Sequence, residues 1–136
     1  MRGASKGRTG DCSRADALQL LDRAQALMNA ARLVVDDTEF RGVAATLAVL
    51  AGIAASDAAC CAVLARRHRG QDHRGAVDLL AGVEPGGRAM AKDLRRLLDR
   101  KDNVHYGVIR IAPGEEHKMV EWATRLLDGA QAAVEA

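Results

Sequence analysis

The sequence predicts an all-α protein, an up-and-down four-helix bundle with an additional short helix, and three observations carry that prediction. Apolar residues recur at intervals of three and four along most of the chain, the period of one helix face. Ala and Gly are abundant while β-branched alternation is scarce, which favours close-packed helices over a sheet. Aromatics make up only 2% of the 136 residues, so the core has to be built from Leu, Val, Ile, Met and Ala. A chain of this length suits one domain with one core. The alternative arrangement is an irregular all-α array, differing in its crossing angles.

The first helix starts near Ser13, where Ser13 and Asp16 form an S-x-x-D capping box. Leu18, Leu21, Ala24, Met28, Ala31 and Val35 make its apolar stripe. The segment "VVDDTE" breaks it, with Asp36, Asp37 or Thr38 able to cap the next helix. The second helix runs from about Phe40 to Arg67 and is apolar on nearly every side, as the most buried member of a bundle should be. Its Ala residues and Gly52 allow neighbours to approach closely, and Arg66, Arg67, His68 and Arg69 collect at its C-terminal end, where cations complement the helix dipole.

Asp72 caps a short third helix over 73–82. "VEPGG" is a break. The fourth helix covers about Arg88 to Tyr106, with Met90, Leu94, Leu97, Leu98 and Val104 inward and Gly107 at its end. "VIRIAPG" is an apolar link, and Pro113 suits the first turn of the last helix, whose inner face is Met119, Val120, Ala123, Leu126 and Leu127. Residues 1–12 read as a disordered basic arm, without the apolar stretch of a signal peptide. Residues 13–136 read as the helical bundle domain.

Val43 to Ala65 is long enough to cross a bilayer. It is mostly Ala and carries Asp57, which costs about 2.5 to 3.5 kcal/mol at a membrane centre, so a core helix is expected and no membrane partner. Cys60 and Cys61 point about 100° apart on a helix and read as small buried fillers in a reduced, cytoplasmic protein. Paired cysteines or histidines at metal-ligand spacing are missing, so neither a metal nor a cofactor is expected. The net charge of +2 is too small to mark the whole chain as a nucleic-acid binder. Its distribution is uneven.

Residues 97–107, "LLDRKDNVHYG", crowd Arg100, Lys101, Asp102, Asn103, His105 and Tyr106 into the end of an amphipathic helix. Together with "ASDAACCAVLARRHRGQDHRGAVDLL" and the order of helices, this stretch resembles the HEPN superfamily, over roughly Ala15 to Leu127. That resemblance implies a four-helix bundle pairing about a two-fold axis. In catalytic members it implies an Arg and a His with roughly four to six residues between them, and metal-independent RNA cleavage in a cleft at the dimer interface. Four Arg–His pairs in the chain have the spacing: Arg100 with His105, Arg66 and Arg67 with His73, and Arg110 with His117. Position in the fold singles out Arg100 and His105. Where active members often follow the Arg with a polar Asn, Asp or His, this chain has Lys101, with Asn103 displaced.

The implied chemistry assigns proton abstraction from a 2′-hydroxyl to His105 and charge stabilisation at phosphorus to Arg100. Five residues on a helix turn through about 140°, whereas Lys101 lies about 40° from His105. Either Arg100 curls round the helix or Lys101 supplies the cation. The competing reading makes His105 a helix C-terminal cap and Arg100 a surface charge. Asp57, beside Ser56, needs a partner because a buried unpaired charge costs several kcal/mol. By the resemblance it orients His105 or pairs with Arg100, and otherwise it forms an ordinary salt bridge.

"RRHRGQDHR", residues 66–74, is the densest basic patch. Arg66, Arg67 and Arg69 would there track a phosphate backbone, or else form a solvated helix end. His73 beside Asp72 reads as a structural pair, and His117 with Glu115 and Glu116 as a first turn. Tyr106 either hydrogen-bonds a ligand at the cleft or packs. The expectation is therefore a homodimeric endoribonuclease of toxin-like type, cleaving RNA and accompanied by an antitoxin or nucleotidyltransferase partner. The alternative is a non-catalytic module binding a nucleotide, nucleic acid or protein. A DNA-binding regulator using Lys92, Arg95, Arg96 and Arg100 is a third class.

Overall fold

The computed structural model of the chain describes residues 8–70, 72–105 and 111–136, with the side chains of 102–105 left aside. The element order is β1 (Thr9–Asp11), α1 (Arg14–Val34), a 3₁₀ turn (Thr38–Phe40), α2 (Arg41–Leu64), β2 (Arg66–His68), α3 (His73–Ala81), α4 (Gly87–His105) and α5 (Glu115–Glu135). Four long helices and one short one make a mostly all-α bundle, as the composition and periodicity predict.

The helix starts agree with their caps. Ser13 Oγ accepts from Asp16 N while the Asp16 carboxylate accepts from Ser13 N, a complete capping box. Asp37 and Asp72 cap the 3₁₀ turn and α3 more simply, each carboxylate accepting from the backbone N–H two residues on, Glu39 N and Arg74 N. The fifth helix departs from expectation: Pro113 lies ahead of it, and Gly114, at φ 90°, is its N-cap. The second helix also ends earlier than predicted, at Leu64, with Ala65 left-handed at φ 58°. Arg66, Arg67 and His68 are consequently a strand and do not complement the α2 dipole.

That strand pairs antiparallel with β1, in the register Thr9–His68, Gly10–Arg67 and Asp11–Arg66. Residues 9–12 are thus ordered where a disordered arm is expected, and residues 1–7 lie outside the described residues. Cys12 is disulfide-bonded to Cys61, with a Cα–Cα separation of 5.1 Å. This corrects the reading of Cys61 as a reduced filler. The sequence cannot announce such a bridge because its two ends lie 49 residues apart. Cys60 remains a buried free thiol.

Helix α2 is the centre of the bundle, packed most extensively on α1 and α5 and also on α4. By length and composition Thr38–Leu64 could cross a membrane. Here its small residues Ala44, Ala45, Ala48, Ala51, Ala55 and Ala58 are buried among neighbouring helices. Gly52 explains how α4 comes so near: a Cβ there would sit 2.5 Å from Leu97 Cδ1. On α1 the buried stripe is Ala17, Leu21, Ala24, Met28, Ala31 and Val35, while Leu18 is 47% exposed. Ala17 takes the position expected of Leu18. Met90, Leu94, Leu97 and Leu98 of α4 are buried as predicted, as are Met119, Ala123, Leu126 and Leu127 of α5, with Val120 half-buried.

Polar ties fasten α5 to the rest. Asp93, nearly buried on α4, accepts from Arg125 at 3.0 Å and from Arg96 at 3.3 Å. Arg96 also stacks over Trp122, 5.7 Å from the ring centre. At the other end Arg41 of α2 meets buried Glu116 at 3.3 Å, and His117 meets Asp36 at 2.9 Å.

Candidate functional site

A groove of about 160 Å³ opens where α2, β2, α3 and α4 converge. Four segments supply its polar groups. Helix α2 contributes Ser56 and Asp57, the β2 region His68 and Arg69, the start of α3 Asp72 and His73, and α4 Lys101. Ile53, Ala76, Leu94 and Leu98 make its apolar floor and sides. The local sequence accounts for the arrangement. Ala65 turns the chain out of α2, the β1–β2 ladder holds residues 66–68 against the bundle, and the Asp72 cap starts α3 beside them.

Asp57 is the most perturbed group in the groove. Burial pushes its carboxyl up to about 6, and the Arg67 guanidinium, 3.9 Å away, pulls it back only in part. A contact that long and half-exposed on the arginine side is weak, so desolvation wins. Burial holds His68 below the usual histidine range against the upward pull of Asp72, with the charge of His73 pushing the same way as burial. The His68 Nε2 atom is buried without a hydrogen-bond partner among the described residues. It lies so near the α3 backbone that a Cβ on Gly75 would approach it to 2.9 Å. Cys60, beside the groove on α2, is raised to about 12 by burial and then by the Asp57 charge, so it is a thiol and not a nucleophile at neutral pH.

The structure separates residues that the sequence pattern groups together. Lys101 lines the groove and Arg100 does not. Arg100 turns instead to α5, where its Nε lies 2.6 Å from Glu115 Oε2 and its Nη2 donates to Oε1 at 3.2 Å. The expected pairing of Asp57 with Arg100 is corrected accordingly: Asp57 faces Arg67. His105 is the last residue of α4. Its side chain, that of Asn103, and Tyr106 altogether lie outside the described residues, so the expected orientation of His105 by Asp57 does too. Arg66 is exposed on β2 opposite Asp11. His117 is tied to Asp36 and Glu116 and belongs to the α5 start.

Two groove residues, His68 and His73, are not among the site candidates that the sequence nominates, although both fall within the basic run 66–74. The signal is present in their density. Reading His73 as a mere partner of Asp72 overlooks that a helix N-terminus can also face a cleft.

Among the described residues there is no cluster of three or more His, Cys, Asp or Glu able to hold a metal ion. The groove is instead a mixed-charge site. Lys101, Arg69 and two imidazoles bring donors, against the carboxyls of Asp57 and Asp72. Neither Lys101 nor Arg69 is engaged in an ion pair among the described residues. No protein-family model matches the chain, and no curated protein matches it.

Proposed function

We propose that this protein is a HEPN-like module that binds RNA by its phosphate groups in the groove between α2, β2, α3 and α4. The observation that carries the reading is the convergence of Lys101, Arg69, His68 and His73 on one cleft. Lysine and arginine side chains with no internal ion pair are the groups that neutralise phosphate. The resemblance of "RKDNVHYG" and the "SDAACC…GQDH" region to HEPN proteins supports RNA as the ligand class. In this reading Lys101, and not Arg100, supplies the α4 cation. Two copies paired about a two-fold axis, as the resemblance implies, would set two such grooves in one assembly, a state that light scattering measures directly.

Fluorescence anisotropy with unstructured RNA in excess EDTA tests the binding. Lys101→Ala and Arg69→Ala each weaken it by about tenfold, the loss of one charge-assisted contact of about 1.4 kcal/mol, with helical circular dichroism retained. Unchanged affinity in both variants removes the groove as the site.

A second reading, metal-independent cleavage, is favoured by one observation: a carboxyl raised to about 6 shares the groove with two imidazoles. Such a set is suited to take the proton from a 2′-hydroxyl as that oxygen attacks phosphorus, and to protonate the departing 5′-oxygen, leaving a 2′,3′-cyclic phosphate. Degradation of RNA in EDTA that disappears with His73→Ala assigns the chemistry to the groove. Degradation lost with His105→Ala or Arg100→Ala assigns it to the pair the resemblance implies. Cleavage surviving all three variants belongs to a contaminant.

A further inference from the structure

Past His73 the cleft continues. A second cavity of about 470 Å³ lies between α3 and α4, bounded by His73, Arg74, Asp78, Arg95, Leu98 and Asp99. His73 and Leu98 line both cavities, so the two are consecutive sections of one channel along the α3–α4 seam. Arg74 and Arg95 are exposed, and neither makes an ion pair among the described residues. The second section thus repeats the chemistry of the first: two cations without an ion pair among the described residues, facing a polar recess, with the His73 imidazole at the boundary.

We infer that the ligand is an RNA strand with at least two successive phosphates, a trinucleotide or a 5′-phosphorylated dinucleotide, that occupies both sections, one phosphate against Lys101 and Arg69 and the next against Arg74 and Arg95. The inference rests on the reading of the first section as an RNA site and extends it to a length requirement. A mononucleotide has one phosphate group to offer and would leave the second pair of arginines unused. Asp78 and Asp99 face the same recess. Two carboxylates repel a featureless polyanion, but each accepts a hydrogen bond from a ribose hydroxyl, which gives the strand a reason to be RNA and not DNA. Asp78 and Asp99 each come four residues after an arginine on their own helix, so cation and acceptor are presented side by side.

Isothermal titration calorimetry in EDTA with UMP, the uridylate hexamer and the thymidylate hexamer tests this. The expected affinity for the uridylate hexamer exceeds that for UMP by about tenfold or more, one further charge-assisted contact. The double variant Arg74→Ala, Arg95→Ala loses that gain and flattens the salt dependence of hexamer binding by about 0.7 in slope per phosphate contact removed. Equal affinity for UMP and the hexamer overturns the length requirement while the groove reading stands. A double variant that keeps the full gain removes the second section from the site. Thymidylate bound as tightly as uridylate overturns the hydroxyl assignment of Asp78 and Asp99. If no member of the series binds, the RNA reading of the groove falls, and the length requirement with it.

Discussion

Arg67 and Asp57 face each other with Nη1 3.9 Å from Oδ2, a strand residue partnering a helix residue ten positions earlier. The contact is too long and too exposed on the arginine side to offset the desolvation of the carboxyl, which titrates at about 6 in the folded chain against 3.8 for an ordinary aspartate. Because the folded form holds this proton more tightly than the unfolded form, the stability it brings is complete below about pH 3.8 and is lost as pH rises through about 6.

The first prediction comes from that sign. Asp57→Asn mimics the protonated carboxyl, so the variant lacks the fall in stability between about pH 4 and 6 that the wild type shows, up to about 3 kcal/mol for a shift of this size. His68 acts in the opposite direction, since its lowered pKa removes stability as pH falls below about 6.5. The comparison of the two proteins by urea unfolding across pH isolates Asp57, because His68 is common to both. Parallel profiles would refute the assignment.

Gly75 sits where α3 begins and meets both His68 and its own cap. An added Cβ would lie 2.9 Å from His68 Nε2 and 3.0 Å from Asp72 Oδ2. Replacing Gly by Ala in a helix ordinarily adds about 1 kcal/mol of stability. Here the displaced cap and crowded imidazole cost about 1 to 3 kcal/mol, so Gly75→Ala is expected to be neutral or destabilising and to weaken the RNA binding proposed for the groove. A clear gain in melting temperature with unaltered binding would contradict the packing described.

The Cys12–Cys61 bridge fastens β1 to the end of α2, and Cys12 N also donates to Ala65 O at 3.0 Å. Closing a loop of this length stabilises by about 4 kcal/mol on chain-entropy grounds. Cys12→Ser is therefore expected to lower the unfolding midpoint and to loosen β2, whose ladder partner is β1. Hydrogen exchange at Arg67 and at Arg69, whose N–H donates to Arg8 O, would report it. Identical midpoints for variant and wild type, both without reductant, would count against the bridge.

Two glycines of α2 make a contrasting pair. Gly42 has nothing within 4 Å of an added Cβ, whereas at Gly52 the Cβ would meet fully buried Leu97 at 2.5 Å. Gly42→Ala is expected to stabilise by up to about 1 kcal/mol through helix propensity. Gly52→Ala carries the same gain against about 1 to 3 kcal/mol of overpacking, and so destabilises. Thermal melts that rank the two variants in the reverse order would show that α4 is not seated against Gly52.

Much of the helical framework is legible in local chemistry. Ser13 with Asp16, Asp72 before α3 and the 3-4 spacing of apolar residues on α4 and α5 each act within a few residues, so their meaning survives without coordinates. The α1 stripe differs from expectation by one position at its start because Ala17 and Leu18 are both apolar, and only the neighbouring helices distinguish them. The basic run 66–74 marks the right neighbourhood for the groove. Its residues read as a helix end because nothing local reveals that β1 pairs with them.

The amino-acid sequence alone determined the helical class, most of the helix starts and the small-residue character of α2, since propensity, capping and periodicity are short-range effects. Tertiary structure decided that Cys12 joins Cys61, that residues 66–68 form a strand, that Arg100 turns to Glu115, and that Lys101 enters the groove with Asp57, His68 and His73. Those outcomes depend on which distant segments share a surface. Contacts of that kind are set by the simultaneous packing of five helices, which no window of a few residues contains.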